Sequence, residues 1–194
     1  MVCSFMNAAA FGLPATLREV STVLKAPDPR SMKYRRLYMS IATNAAKQSV
    51  AERHQVGGVL VTTTGALFTG WNGTMPGTDN CCENGEYLRE ETRFKTSPYG
   101  VIHAEHNILA WASRSGVPLD NSVLWITRAP CVRCAEMIAT HGVHLVLFRD
   151  DHDEPEGMTV LAMGNVKAMS WSTLDSLITE HGGHYVVSKT LLAN

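Results

Sequence analysis

The alternation of helical and strand patterns after residue 100 constrains the fold of this chain more than any other feature of its sequence. Helical patterns over 103–114 and 131–141 are each followed by a short apolar strand pattern, at 122–127 and 143–148. A glycine follows each helix, as is common where a helix ends. Strands joined through helices run parallel, so the pattern predicts a largely parallel sheet with helices on its faces.

The first half of the chain predicts a helix, a hairpin and a long loop. Apolar residues recur at helical spacing over 33–48, and a β-branched run begins a hairpin pattern over 55–71. The polar stretch 72–100, rich in glycine and proline, predicts a loop with a helix around 86–94. The remaining predicted elements are a loop over 149–156, a helix over 172–181 and a strand over 185–188.

A joint near residue 30 divides the chain into an appendage and a main domain. Pro27 and Pro29 interrupt the helical pattern that runs from Thr16 to Leu24, because proline cannot continue a helix. We therefore expect residues 1–30 to form an N-terminal extension and residues 31–194 to form one domain of ordinary size.

The composition favours a packed domain and argues against several classes of function. Hydrophobic residues make up 45% of the 194 residues, which is enough for a substantial core, and no apolar run is long enough to cross a membrane. Lys and Arg number 17 against 18 Asp and Glu, so a stable nucleic-acid partner is not expected. Five cysteines fit a metal site and free thiols in a reducing compartment, which predicts a cytoplasmic protein.

Three residues with metal-ligating side chains stand at the starts of the two central helices. His103 opens the first helix, and Cys131 and Cys134 open the second within a Pro-Cys-x-x-Cys segment. A catalytic zinc takes three protein ligands and keeps one open position, and one histidine with two thiolates supplies that number. A Cys-x-x-Cys pair by itself also fits a redox pair or half of a structural zinc site, for which His106 is the nearest fourth ligand.

Glu105 is the candidate proton carrier of this set. It lies two residues after His103, about 200° further round a helix, so it is placed to reach a metal-bound water and not to ligate the same ion. A His-x-Glu segment followed by Pro-Cys-x-x-Cys is the signature of zinc deaminases, in which the glutamate is the general acid and base. In this hypothesis Glu105 takes a proton from the water, zinc-bound hydroxide attacks the amine-bearing carbon, and ammonia leaves.

Three stretches of the chain resemble the cytidine/deoxycytidylate deaminase superfamily, and most closely its deoxycytidylate (dCMP) deaminases. They are residues 48–61 at the first strand, 70–77 with Cys82 and Glu83 in the long loop, and 103–107 with 129–135 around the metal ligands. The likeness covers about residues 34–150. It implies a three-layer α/β/α fold of the cytidine deaminase type, built on a mixed five-stranded sheet.

The same resemblance implies a reaction and a substrate. The reaction is the hydrolysis of dCMP to dUMP and ammonia, which supplies dUMP for thymidylate synthesis, and the cofactor is Zn²⁺. Substrate contacts are implied for Asn72 at the sugar, for the backbone of Ala104 at the base, and for Asn107.

The resemblance further implies an assembly and its regulation. Enzymes of this type are commonly homo-hexamers that dCTP with Mg²⁺ activates and dTTP inhibits. Some relatives also hold a second, structural zinc near the long loop. Cys81 and Cys82 lie there, but neighbouring side chains point in different directions, so a second zinc is left open. The stretch associated with allosteric control corresponds to Gly70, Trp71, Asn72 and Gly73.

Departures from the dCMP deaminase pattern keep alternatives open. Trp71 stands where tyrosine is usual and Val132 where proline is usual, and both fit the branch of tRNA adenosine deaminases. His106 stands where an aliphatic residue is usual and could touch the substrate, although a solvent-facing or packed histidine is favoured. The alternatives are a tRNA adenosine or free-base deaminase, and a non-catalytic zinc protein that binds deoxynucleotides.

Several other features are assigned to packing or to solvent. Trp111 and Trp125 fit core positions, and the acidic run Asp150–Glu154 predicts a solvated loop. Tyr34, Arg35 and Arg36 are interpreted as a helix start with surface charge. The methionines assigned to the core are Met158, Met163 and Met169.

Overall fold

The structure is a computed structural model that describes residues 30–77, 101–181 and 184–187. Its helices are α1 (Arg35–Ala46), α2 (Ala104–Arg114), α3 (Val132–Thr140), α4 (Glu156–Met163) and α5 (Trp171–Leu177), and a 3₁₀ turn, Met32–Tyr34, precedes α1. Its strands are β1 (Gly57–Val61), β2 (Leu67–Trp71), β3 (Val123–Arg128), β4 (Leu145–Asp150), β5 (Lys167–Ser170), β6 (Ile178–His181) and β7 (His184–Val187).

Some predicted segments lie outside the described residues. These are the N-terminal extension apart from Arg30, the helix around 86–94, and Cys81 and Cys82. The domain boundary at residue 30 and the second zinc therefore stay predictions.

The five strands β1 to β5 form one mixed sheet in the order β2-β1-β3-β4-β5. Strand β1 pairs antiparallel with β2 and with the central strand β3, whereas β3, β4 and β5 run parallel to one another. The predicted hairpin and the predicted parallel half are both present, and the mixed five-stranded sheet is confirmed. Strands β6 and β7 form a separate antiparallel pair.

Alternate residues of the central strands bury against helices on opposite faces of the sheet. Strands β1 and β3 are buried along nearly their whole length, which matches their continuous apolar runs. One face packs against α2, α3 and α4 through Leu60, Leu124, Ile126, Val146 and Phe148. The other face packs against α1 and α5 through Val59, Val61, Val123, Trp125 and Leu147. The three-layer α/β/α arrangement is therefore confirmed.

Two elements that the sequence patterns missed complete the sheet. Helix α4 and strand β5 occupy residues where the patterns predicted only the end of a loop and core methionines. All four residues of β5 are half-buried, so this edge strand carries no alternation of apolar and polar residues. The C-terminal helix ends at Leu177 instead of 181, because residues 178–181 pair with β7.

Two of the residues assigned to the core were placed wrongly. Trp111 is 61% exposed and Met163 is 79% exposed, whereas Trp125 is fully buried as predicted. Trp111 lies on the solvent side of α2, where the Arg114 guanidinium lies 5.4 Å from its ring. Arg35 was also placed wrongly, since it is 4% exposed and pairs with Asp175 at 3.4 Å.

One glycine allows α4 to approach the start of α3. A Cβ atom at Gly157 would collide with the carbonyl oxygen of Pro130 and lie 3.1 Å from the carbonyl carbon of Cys131. A larger residue at this position would therefore push α4 away from the segment that carries Cys131.

None of the helices in the described ranges is both long and apolar enough to span a membrane.

Candidate metal and active site

The predicted metal ligands sit at the N-terminal ends of two neighbouring helices. His103 is the residue that precedes α2, and Cys131 is the residue that precedes α3; both have extended backbones, with ψ of 155° and 171°. Cys134 lies in the first turn of α3 and is 4% exposed. The first backbone N–H groups of a helix lack intrahelical acceptors, so both helix ends favour anionic sulfur.

The distances among these three side chains fit a single zinc ion. The Nδ1 atom of His103 lies 3.6 Å from the Sγ atom of Cys131 and 3.4 Å from that of Cys134. Zinc bonds of about 2.3 Å to sulfur and about 2.05 Å to nitrogen, at tetrahedral angles, place such atoms roughly 3.6 Å apart. Within the described ranges, this is the group of three ligating side chains close enough to hold a metal ion.

The two cysteine thiols have different pKa values because one donates a hydrogen bond to the other. The Cys134 thiol donates to Cys131, which together with His103 lowers the pKa of Cys131 to about 3 against the opposing effect of burial. The same hydrogen bond, followed by burial, raises the pKa of Cys134. A half-buried sulfur anion next to a buried thiol and an imidazole is a donor set that suits zinc, since zinc binding releases the remaining proton.

Glu105 lies in the first turn of α2 and is 3% exposed. Burial raises its pKa to about 7, against opposing effects of His103, of its own backbone N–H and of a hydrogen bond from Cys134, while Cys131 adds to the rise. A carboxyl group with a pKa near 7 is present in both protonation states at neutral pH. The burial and the raised pKa of Glu105 therefore suit a general acid and base next to the ligand set.

A cavity of about 800 Å³ opens over these residues. Its volume is in the range of pockets that hold small molecules. Two loops, around residues 53–56 and 152–154, form its walls together with the starts of α2 and α3. The polar and charged side chains in the lining outside the ligand set are Arg53, His54, Asn72, Glu105, His106, Arg128, Arg133, His152, Asp153 and Glu154.

The three predicted substrate contacts are placed differently. Ala104 is the first residue of α2 and lines the cavity, so its backbone N–H has no acceptor within the helix. Asn72 also lines the cavity, but its side-chain oxygen accepts from the N–H of Val56 at 2.8 Å and its nitrogen donates to the carbonyl of His54 at 2.7 Å. Asn107 is not among the lining residues, and its side chain donates to the carbonyl of Trp71 at 2.7 Å.

Part of the predicted regulatory stretch, Gly70, Trp71, Asn72 and Gly73, is packed against α2. A Cβ atom at Gly70 would lie 2.8 Å from Cγ1 and 3.2 Å from the backbone nitrogen of Ile108, so this glycine lets β2 lie close to α2. Among the described residues, no atom lies within 4 Å of a Cβ built at Gly73, and Gly73 pairs with Ile102 in an isolated antiparallel bridge. Trp71, 41% exposed, leaves an aromatic surface next to that bridge.

The sequence patterns missed several residues of the cavity wall. The acidic run was predicted to be a solvated loop, yet His152, Asp153 and Glu154 line the cavity. Arg128 was not singled out, although it is the last residue of a parallel strand, and ligands bind at the carboxyl ends of such strands. His106, which the sequence left open as a substrate contact or a solvent-facing residue, lines the cavity on the exposed side of α2.

The layered fold and the His-Cys-Cys set at two helix ends define the class as a zinc-binding deaminase. The family model described as "cytidine and deoxycytidylate deaminase zinc-binding region" matches residues 32–149, which is more than half of the chain. The chain belongs to the cytidine and deoxycytidylate deaminase family.

Curated relatives resemble this chain over its central part. The deoxycytidylate deaminase of Mycobacterium phage D29 is 32% identical over 57% of this chain and 90% of its own length. ComE operon protein 2 of Bacillus subtilis is 26% identical over 62% of this chain, and the deoxycytidylate deaminase of Schizosaccharomyces pombe is 31% identical over 60%. The chain spans 61% of the B. subtilis protein and 37% of the S. pombe protein.

Solved structures of similar proteins share the fold. The dCMP deaminase of cyanophage S-TIM5, solved in complex with dCMP and dUMP, aligns with a TM-score of 0.64 and 32% identity, over 72% of this chain and 98% of the phage protein. A diaminohydroxyphosphoribosylaminopyrimidine deaminase/reductase of Thermotoga maritima aligns with a TM-score of 0.53 at 18% identity, over 74% of this chain and 38% of that protein. The second likeness extends to the fold alone.

Proposed function

We propose that this protein hydrolyses dCMP to dUMP and ammonia, with His103, Cys131 and Cys134 as ligands of Zn²⁺ and Glu105 as the catalytic residue. The observation that carries the proposal is the burial of Glu105 in the first turn of α2, directly beside the three ligand side chains. The likeness to phage dCMP deaminases, one of them solved with dCMP and dUMP, supports the choice of substrate.

Zinc, Glu105 and Ala104 have separate roles in the proposed reaction. Zinc, when bound, supplies a Lewis acid that lowers the pKa of a water molecule towards neutrality. Glu105 accepts a proton from the attacking water and delivers it to the ring nitrogen of the base. It then takes the second proton, from the new hydroxyl group on the ring carbon, and passes it to the departing amine, which leaves as ammonia. The backbone N–H of Ala104 holds the base by a hydrogen bond in this proposal, which its position as the first residue of α2 in the cavity wall supports.

Asn72 has a double role in this proposal. Its side chain is 4% exposed and holds the segment around His54 and Val56 in the cavity wall. One proton of its amide nitrogen and one lone pair of its amide oxygen are left for the sugar of the substrate. Asn107 acts indirectly, since its bond to Trp71 ties α2 to the end of β2.

We also propose a metabolic role and allosteric regulation. The regulation is proposed because the stretch Gly70, Trp71, Asn72 and Gly73 resembles the regulatory loop of dCMP deaminases. The product would supply thymidylate synthesis, with dCTP and Mg²⁺ as activators and dTTP as an inhibitor. The exposure of Trp71 and the open space around Gly73 support a ligand or subunit contact there. The homo-hexamer and the cytoplasmic location stay predictions.

A substrate panel tests the proposal. Purified, zinc-loaded protein is expected to release ammonia from dCMP faster than from deoxycytidine, cytidine, dCTP, guanine or a tRNA anticodon stem. Turnover of guanine or of the tRNA stem instead of dCMP would support the free-base or tRNA alternative. Binding of dCTP without turnover of any compound would support a non-catalytic protein.

Glu105→Gln tests the assigned proton carrier in the same assay. The amide keeps the shape of the side chain but cannot carry the proton, so we expect a loss of roughly 10²- to 10⁴-fold in kcat with zinc still bound. Glu136→Gln, an exposed residue of α3 outside the cavity lining, is the matched control. Full activity of Glu105→Gln would rule out the role of Glu105.

A further inference from the structure

An ion pair in the cavity wall has no role in the deamination chemistry described above. The Nη2 atom of Arg128 lies 2.8 Å from the Oδ1 atom of Asp153, and both residues line the cavity that holds the ligand set. In a binding cavity, the carboxylate of such a pair occupies a guanidinium group that a ligand would otherwise contact. It therefore bears on which ligands the cavity accepts.

The two partners of this pair differ in how firmly they are held. The side chain of Arg128 is 17% exposed, and its backbone is the end of β3, paired in register with Asp150 of β4. The side chain of Asp153 is 76% exposed and belongs to the loop between β4 and α4. The arginine is thus a fixed part of the sheet, whereas the carboxylate belongs to an exposed connection.

We propose that Arg128 binds the 5′-phosphate of the nucleotide and that Asp153 occupies the guanidinium when no nucleotide is present, so that the two anions compete. This inference rests on the proposed function and adds to it a residue pair that sets the preference for nucleotides over nucleosides. A neutral nucleoside cannot replace Asp153 and gains nothing from Arg128.

The relative strengths of the two contacts favour this exchange. An ion pair with a well-exposed partner contributes little to stability, because water solvates the carboxylate. A phosphate dianion carries twice the charge and accepts two parallel N–H bonds from a guanidinium, which makes arginine a preferred phosphate ligand. Ligand phosphate therefore displaces Asp153 at small cost.

Arg128 suits this role better than the other arginines of the cavity. Arg53 and Arg133 also line it, but both are exposed, on a loop and on the outer side of α3. Charged hydrogen bonds are stronger where water is excluded, and a residue on a strand loses less conformational entropy on binding. Arg128 also lies only three residues before Cys131, so phosphate at Arg128 and base at the metal site can share one ligand.

The test compares dCMP with deoxycytidine in three variants of the zinc-loaded, full-length protein. Asp153→Asn removes the competing charge, and we expect KM for dCMP to fall roughly two- to fivefold while KM for deoxycytidine is unchanged. Arg128→Met keeps the stem of the side chain and is expected to raise KM for dCMP roughly ten- to hundredfold, again sparing deoxycytidine. Glu136→Gln removes an exposed carboxylate of α3 outside the cavity lining and is the matched control, with both KM values unchanged.

The direction of the Asp153→Asn effect decides the inference. An ion pair that only supports the loop predicts a higher KM or no change in this variant, and either result would overturn the proposal even if Arg128→Met failed to fold. Inorganic phosphate is the second probe, measured by calorimetry in the same variants. Tighter binding in Asp153→Asn and lost binding in Arg128→Met support the inference, and equal binding in all variants overturns it. A wild type without dCMP turnover would refute the proposed function, and the phosphate data alone would then decide the role of Arg128.

Discussion

The two halves of the cavity are built in different ways. The metal half consists of His103, Cys131, Cys134 and Glu105, all within one turn of a helix start. The loop half consists of residues 53–56, the end of β2 at Asn72, and residues 152–154. In the metal half, short sequence spacings set the residues of each helix start, and the packing of two core helices brings the two starts together. In the loop half, hydrogen bonds between distant residues hold segments without regular secondary structure.

This difference predicts how each half responds to substitution. In the metal half each side chain is proposed to supply a metal ligand or the proton carrier, and no neighbouring side chain can replace it. The loss of one of these side chains is therefore expected to abolish activity. In the loop half the hydrogen bonds hold backbone in place, so a loss is expected to weaken binding and stability by graded amounts. Substitutions in both halves test this contrast.

The largest effect is expected for Cys134→Ser in the metal half. A serine hydroxyl is a poor zinc ligand, so the variant is expected to lose most of its zinc and to show activity at background level. Metal content measured on the purified protein, alongside ammonia release, checks this. Glu136→Gln on the same helix is the control, and a zinc-loaded, active Cys134→Ser protein would show that the metal site lies elsewhere.

A smaller effect is expected for Asn72→Ala in the loop half. The substitution removes the hydrogen bonds to the N–H of Val56 and to the carbonyl of His54, which costs about 1 to 3 kcal/mol of stability for two partly buried bonds. We expect the metal content to stay unchanged while Tm falls and KM for dCMP rises. Asn107→Ala, which loses one bond to Trp71, should show a smaller fall in Tm.

An unchanged KM in Asn72→Ala would contradict the assignment of the loop half to substrate binding. Loss of zinc in this variant would contradict the separation of the two halves. The comparison therefore needs metal content, Tm and KM from the same protein preparation.

The smallest effect on turnover is expected for Gly70→Ala. The new methyl group would meet Ile108, so α2 must shift by a few tenths of an ångström and stability should fall by about 1 to 2 kcal/mol. Thermal unfolding would register this as a fall in Tm of roughly 2 to 4 °C per kcal/mol. Gly73→Ala, with open space around it, is the control and should leave Tm unchanged.

The same glycine pair tests the proposed regulation. If the stretch Gly70, Trp71, Asn72 and Gly73 binds dCTP or a neighbouring subunit, Gly73→Ala should change the response to dCTP and dTTP without a change in Tm. An unchanged response to both nucleotides in Gly73→Ala would speak against this stretch as a regulatory site.

Much of the fold could be predicted from local patterns. Helix α1, the β1–β2 hairpin, and the alternating elements from α2 to β4 all carry a period of hydrophobic residues that matches their secondary structure. Helix α4 and strand β5 were missed because they follow an acidic run and because β5, at the sheet edge, has no alternating pattern. The burial of Arg35 and the exposure of Trp111 were also missed, since both depend on which elements lie opposite.

The sequence alone pointed to the family and predicted the ligand set and the proton carrier, because the His-x-Glu and Pro-Cys-x-x-Cys spacings are local patterns at two helix starts. The tertiary structure joins these two patterns, since His103 and Cys131 lie 28 positions apart. Only the tertiary structure decided the surroundings of that set. It brings β2, β3 and the loop after β4 to one cavity, and it pairs Asn72 with His54 and Val56, and Arg128 with Asp153. Such contacts join residues 16 or more positions apart, and no local period or spacing encodes them.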